Sequence, residues 1–111
     1  MDISPTSATQ SLVQMINQLF DMEKKLAKTE QTKTVSRNFR RMKQILDDLG
    51  LSWHDPIGEY FDETRTDCEA SISGESAENL VIIEVIKPII RLNIDGFTQI
   101  IQRGVVIAES K

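Results

Sequence analysis

A chain of 111 residues, 40% hydrophobic and 27% charged, has the composition of one modest globular fold and not of a disordered segment. No apolar run approaches the roughly 20 residues needed to cross a bilayer, and the opening MDISPTSATQ lacks the basic flank and apolar stretch of a secretory signal. Cys68 is the only cysteine, which excludes an intrachain disulfide and makes a reducing, cytoplasmic setting the expectation.

The net charge of −4 is unevenly spread: residues 1–50 carry eight Lys/Arg against six Asp/Glu, and residues 51–111 carry five against eleven. Met1 to Thr6 reads as a flexible lead-in, with Pro5 and Ser7 near a helix start. Leu12, Met15, Leu19, Met22 and Leu26 then step by three and four, a heptad seam that Ile16 and Phe20 widen. Lys24, Lys25 and Lys28 suit the negative end of that helix. Ala27 to Lys33 is a polar link. A second seam runs Val35, Phe39, Met42, Leu46 and Leu49, with Thr34 or Ser36 as its cap and Gly50 placed to end it. Two such helices form a hairpin whose narrow seams call for a second copy. The expected dimer interface is Leu12, Met15, Leu19, Met22, Phe39, Met42 and Leu46, half of a four-helix bundle.

After Gly50 the period changes. Trp53 to Pro56 reads as a turn or loop. Cys68, Ala70 and Ile72 alternate as a half-buried strand, and Gly74-Glu75-Ser76 marks a turn. Leu80 to Ile86 is a β-branched run that Pro88 confines to an edge or a strand end. Asn93 to Gly96 reads as a turn, and Phe97–Ile101 and Val105–Ala108 as strands with Gly104 as a possible bulge between them. The fold class is therefore α+β: a helical hairpin over residues 1–51, then a small, mostly antiparallel β-domain over 52–111.

The carboxylates Asp62, Glu63, Asp67 and Glu69 read as a solvated acidic surface, because neighbouring side chains point apart. His54 has no recognisable nucleophile to serve, and Cys68 at an alternating position reads as a small core residue. Nothing is spaced for zinc, and no Gly-rich phosphate loop occurs. With no catalytic constellation and no cofactor implied, the chain reads as a binding module and not an enzyme. Lys33, Arg37, Arg40, Arg41 and Lys43 lie on or near the second helix. A solvated face is the favoured reading, and the overall acidic balance speaks against a nucleic-acid partner. The Met15, Met22 and Met42 stripe is most simply core, although Met also suits adaptable partner surfaces.

The order hairpin-then-sheet resembles the GrpE family, whose members carry a G-E-x-F-D-P-x-x-H-E-A stretch after the bundle helices. Here Gly58-Glu59-Tyr60-Phe61-Asp62 matches its first half, while Glu63, Thr66, Asp67 and Cys68 replace the proline, histidine, glutamate and alanine. Ile83 to Ile90 and Ile100 to Ala108 resemble the family's paired closing strands, with Gln102 standing at the arginine. The resemblance implies a co-chaperone that binds the nucleotide-binding domain of a DnaK-type ATPase through its β-domain and promotes ADP release. It acts by favouring the open cleft. It places partner contacts on the closing strands at Ile86, Gln99, Val106 and Ala108, with Arg91 and Arg103 as basic anchors. Ile86 and Val106 are equally readable as core. Family members open with a long stalk helix, which this sequence does not display, so a weaker or more specialised activity is expected. The alternatives are a GrpE-derived scaffold without exchange activity and a small DNA-binding regulator.

Overall fold

The computed structural model of the chain describes residues 7–30 and 32–111; the lead-in expected for Met1–Thr6, and Gln31 of the polar link, lie outside them. The elements are α1 (Ser7–Leu26), α2 (Thr32–Asp48), β1 (Leu51–His54), β2 (Tyr60–Phe61), β3 (Cys68–Ser73), β4 (Leu80–Lys87), β5 (Ile89–Ile94), β6 (Phe97–Gln102) and β7 (Gly104–Ser110). The α+β class and the predominantly antiparallel pairing agree with the pattern of the sequence.

Both helices form where apolar residues recur at three and four, but α1 uses two sides. Ile16 and Phe20, which the period makes mere wideners of a seam, are its two buried residues. They face the sheets, while Leu12 and Leu19 are half-buried and Met15 and Met22 are exposed. Helix α2 begins earlier than its seam suggests. Ser36 therefore lies inside the helix, where its hydroxyl donates back to Lys33 O (3.2 Å) and caps nothing. Gly50 ends α2 with its N–H donating to Asp47 O (2.9 Å) at φ +85°. A Cβ there would strike the carbonyl oxygen of Asn93, whose N–H donates to Gly50 O (2.7 Å). Only glycine lets the chain pass so close to β5 and turn directly into β1.

β1 takes in Trp53 and His54 of the loop expected at Trp53–Pro56, since Leu51 pairs with Leu92 and Trp53 with Ile90, while Asp55 and Pro56 stay outside any strand. A four-residue strand is too short to announce itself by alternation. The strands form two sheets, ordered β1-β5-β6 and β2-β4-β7-β3, antiparallel throughout except for the parallel β3–β7 pair.

Four of the strands are one long hairpin. β4 runs into β5, the chain reverses at Asp95-Gly96, and β6 runs into β7. Asp95 and Gly96 both have positive φ (51° and 82°), the geometry that matches strand twist in a tight reversal. The hairpin bends at Pro88 and Arg103: Lys87 pairs with Val105 in the four-stranded sheet, and Ile90 with Gln102 in the three-stranded one. Proline has no N–H to continue the ladder, so the pairing breaks there. Gly104 opens β7 and is not a bulge. Its role is space, since an added Cβ would lie 3.0 Å from Ile89 and 3.1 Å from the Cys68 sulfur.

Two buried clusters meet at this bend. One joins Phe20 to Cys68, Ile82, Val85, Ile89 and Val106. The other joins Ile16 to Leu46, Leu51, Ile90 and Leu92. Trp53 packs against both. Each cluster draws on helix and sheet together, so a division at residue 51 separates types of secondary structure and not cores.

Phe20→Ala should therefore cost about 3–5 kcal/mol in urea unfolding, the range for a large core truncation. Met22→Ala should cost under about 1 kcal/mol, as for an exposed position. The reverse ranking would move the core to the heptad seam. The isolated segment 52–111, deprived of Ile16, Phe20, Leu46 and Leu51, should lack a cooperative thermal transition.

Candidate functional site

The acidic segment that begins at Gly58 is structural in its own right. Asp62 accepts from the Thr64 N–H (2.9 Å) and the Thr64 hydroxyl, closing a turn that aims Arg65 inward. Arg65 donates to Asp67 Oδ1 (2.6 Å), Glu59 Oε1 (2.8 Å) and Tyr60 O (3.0 Å). Arg91 donates to the other oxygen of Asp67 (3.4 Å), and His54 Nε2 lies 2.5 Å from Glu59 Oε2. Asp67 is only 19% exposed, so the solvated acidic surface expected here is in part a half-buried ion lattice. The Arg65 guanidinium holds the Asp67 carboxyl below its usual range against the opposing effect of burial. Burial also raises Glu59, but hydrogen bonds from Arg65 and His54 outweigh it and hold that carboxyl low. Burial pushes the Cys68 thiol up, which keeps it neutral and unreactive. Among the described residues no three His, Cys, Asp or Glu side chains converge as metal ligands.

The residues expected on the closing strands separate. Val106 and Ala108 are buried beneath the four-stranded sheet and belong to the core, so they are not contact residues. Gln99 lies on β6 in the other sheet. Arg91 is held by Asp67, and Arg103 donates to Thr66 O (3.1 Å), Cys68 O (2.9 Å) and Glu69 Oε1 (2.9 Å), clipping β3 to the bend. Both arginines are committed inside the chain. Of the apolar residues among the six, Ile86 alone is exposed.

The surface it belongs to was not visible in the sequence. β4 carries two bulges, one between Ile82 and Glu84 and one between Val85 and Lys87. The extra residues are Ile83 and Ile86, 48% and 52% exposed. Bulges re-aim side chains in this way. On β7 the residues between the buried ones, Val105 and Ile107, are half-buried. With Val81 they form an apolar outer face bordered by Glu69, Glu84, Lys87 and Glu109.

The helical seam divides likewise. Phe39 and Leu46 are buried within the single chain, whereas Met15 and Leu49 are 58% and 60% exposed. Leu12, Met15, Leu19, Met42, Ile45, Leu46 and Leu49 line a groove of about 200 Å³ with no polar lining. Ile45 and Leu49 extend the exposed seam beyond the expected residues, Phe39 is buried inside the chain, and Leu46 is buried yet still lines the groove.

Fold and surfaces together describe an α+β module with two uncovered apolar faces, one on the sheet and one along the helices. No family model, curated protein or solved structure matches the chain.

Asp67→Asn should cost about 2 kcal/mol at neutral pH by urea unfolding, because it removes the negative charge that two guanidinium groups share. The folded-state pKa of Asp67 is depressed, so its contribution is present above the unfolded value of about 4 and lost as pH falls through the folded value. The stability gap between parent and variant should close progressively below about pH 4. A gap that persists unchanged to pH 2 would remove the ion lattice as its cause.

Proposed function

We propose that the chain is a GrpE-like binding module. It docks the outer face of its four-stranded sheet on the nucleotide-binding domain of a DnaK-type ATPase and speeds ADP release. The observation that carries this reading is the outer face itself: Ile83 and Ile86, lifted by two bulges, stand exposed beside Val105 and Ile107, uncovered by any of the described residues. An apolar centre with a charged border is the anatomy of a protein contact. The hairpin-then-sheet order and the Gly58–Asp62 stretch supply the partner class by resemblance. Such a module needs no catalytic group, because preferential binding to an open cleft is enough to shift the population that releases nucleotide.

The committed state of Arg91 and Arg103 favours a second form of the same reading, a scaffold that docks without opening the cleft. Release of a fluorescent ADP analogue from DnaK-type ATPases, followed by stopped flow, distinguishes the two. Acceleration by the parent chain supports exchange, and binding without acceleration supports the scaffold. Ile83→Asp and Ile86→Asp should each weaken binding at least tenfold with an unchanged melting temperature. Absence of binding by the folded parent chain would sink both forms.

The uncovered seam between α1 and α2 supports self-association as a homodimer through Met15, Leu19, Met22, Met42 and Leu49. Light scattering should report a dimer at micromolar concentration and a folded monomer for the double variant Met15→Glu/Leu49→Glu. A monomeric parent at high micromolar concentration would end the dimer reading.

A further inference from the structure

Between Lys24 and Leu46 the chain carries eight Lys/Arg and one acid, Glu30, so a protein of net charge −4 concentrates its positive charge in the helical hairpin. Three of those cations have work inside the fold. Lys24 donates to Val85 O (2.7 Å) and lies over the Phe20 ring. Lys25 pairs with Asp21 (2.9 Å). Lys43 pairs with Glu23 (3.1 Å) and lies 5.2 Å over the Trp53 ring. Lys33, Arg37, Arg40 and Arg41 are different. All four are exposed, and the charged group of none of them has an acidic or hydrogen-bonding partner among the described residues. Their spacing of four, three and one places them on a single face of α2, roughly opposite the Val35, Phe39, Met42 and Leu46 side.

We infer that this face binds the phosphate backbone of a nucleic-acid duplex. Three features select that occupant. Lys33 stands in the first turn of α2, where the helix dipole is already positive, and Asp47 and Asp48 close the helix at its negative end, so both ends carry the charge the dipole disfavours and no cation is placed to suit it. Protein contacts have an apolar centre depleted in charge, whereas this face has four cations and no apolar residue within it, as backbone-binding surfaces do. Three of the four are arginines, whose planar fork matches phosphate. Single strands are bound largely by aromatic stacking, and the face carries no aromatic ring. It extends about 12 Å along the helix, room for a few phosphates of a backbone that carries one charge per about 1.7 Å of duplex axis. The acidic remainder of the chain confines contact to this stripe and makes it weak and salt-sensitive. Because the stripe lies opposite the seam, pairing of two chains through α1 and α2 would leave it outside.

The test is fluorescence anisotropy of labelled 24-base-pair DNA and RNA duplexes titrated with the full chain from 25 to 200 mM salt. Anionic phosphatidylserine vesicles and polyglutamate serve as competing polyanions. Four phosphate contacts predict a drop in affinity on the order of 100-fold between 50 and 200 mM salt. Arg37→Gln/Arg40→Gln should lower the log–log salt slope by about two, with a melting temperature equal to or above that of the parent. Lys87→Gln, on the sheet, should change nothing. If the first pair lowers the melting temperature, Lys33→Gln/Arg41→Gln carries the same expectation. Binding to either duplex with these slopes supports the assignment. It is overturned by absence of duplex binding at 25 mM salt, by variants that bind like the parent, or by vesicles or polyglutamate that bind as tightly as the duplexes.

Discussion

The packing of Ile16 and Phe20 across the bend at Pro88 is the contact on which the rest of the chain depends. The two side chains are one helical turn apart. Phe20 joins Ile82, Val85 and Ile89 of the four-stranded sheet, and Ile16 joins Ile90 and Leu92 of the three-stranded one. One helix thus bridges two sheets that a single long hairpin supplies. Each fully buried side chain of this size contributes roughly 1.5–3 kcal/mol, and no other pair on α1 is buried. A polar lock fixes the register of helix on bend. Asn17 and Gln102 exchange amide hydrogen bonds (2.8 and 2.9 Å), and Gln102 also donates to Pro88 O (2.9 Å), using the carbonyl freed where the ladder stops. Once α1 is placed, Leu46 and Trp53 position α2 and β1 behind it. The outer face of the four-stranded sheet is left uncovered because α1 takes only the inner one.

The sequence was legible where a long period had one interpretation. Both helices, the end of α2 at Gly50, the strand at Cys68 and the stop before Pro88 follow directly from residue pattern. It misled where a pattern had two. Leu12, Met15, Leu19 and Met22 keep perfect heptad spacing, yet the residues beside them, Ile16 and Phe20, face the core. Spacing identifies an apolar arc and not which part of it meets the rest of the chain. In Gly104-Val105-Val106-Ile107-Ala108 every residue is apolar, so alternation cannot choose a face. Pairing decides it, by setting Val106 opposite Val85 and Ala108 opposite Ile82. The bulges that expose Ile83 and Ile86 are properties of that pairing and have no local signature. Arg65 was invisible for a related reason: its three partners come from an irregular segment whose course only the folded chain defines.

Charge divides along the same line. In the β half the arginines are spent on carboxylates and carbonyls of their own chain, so Arg65, Arg91 and Arg103 stabilise loops that a small sheet could not otherwise hold. In α2 the cations have no internal counterpart, apart from Lys43. A net charge of −4 therefore conceals two opposite arrangements, an acidic half whose arginines are all engaged within it and a basic stripe left outward. Composition alone, which argues against a polyanion partner, averages over a separation that the fold keeps intact.

The three outward surfaces stand on different sides of one packed unit. The sheet face lies behind the layer that α1 covers, the seam lies between the helices, and the basic stripe lies on the far side of α2 from the seam. Geometry gives no reason for one occupant to exclude another. Coupling between them would require an element with two arrangements that each ligand favours differently. The core offers no obvious one: the two clusters share Trp53, the Asn17–Gln102 lock ties α1 to the bend, Gly50 sits where no larger residue fits, and Gly104 is closely packed. An arrangement so constrained holds separate surfaces at fixed spacing, as a rigid adaptor does. Whatever docks on the bulged sheet face is then joined to whatever docks on α2 by mechanical connection, with effective concentration and not allosteric change as the physical link between them.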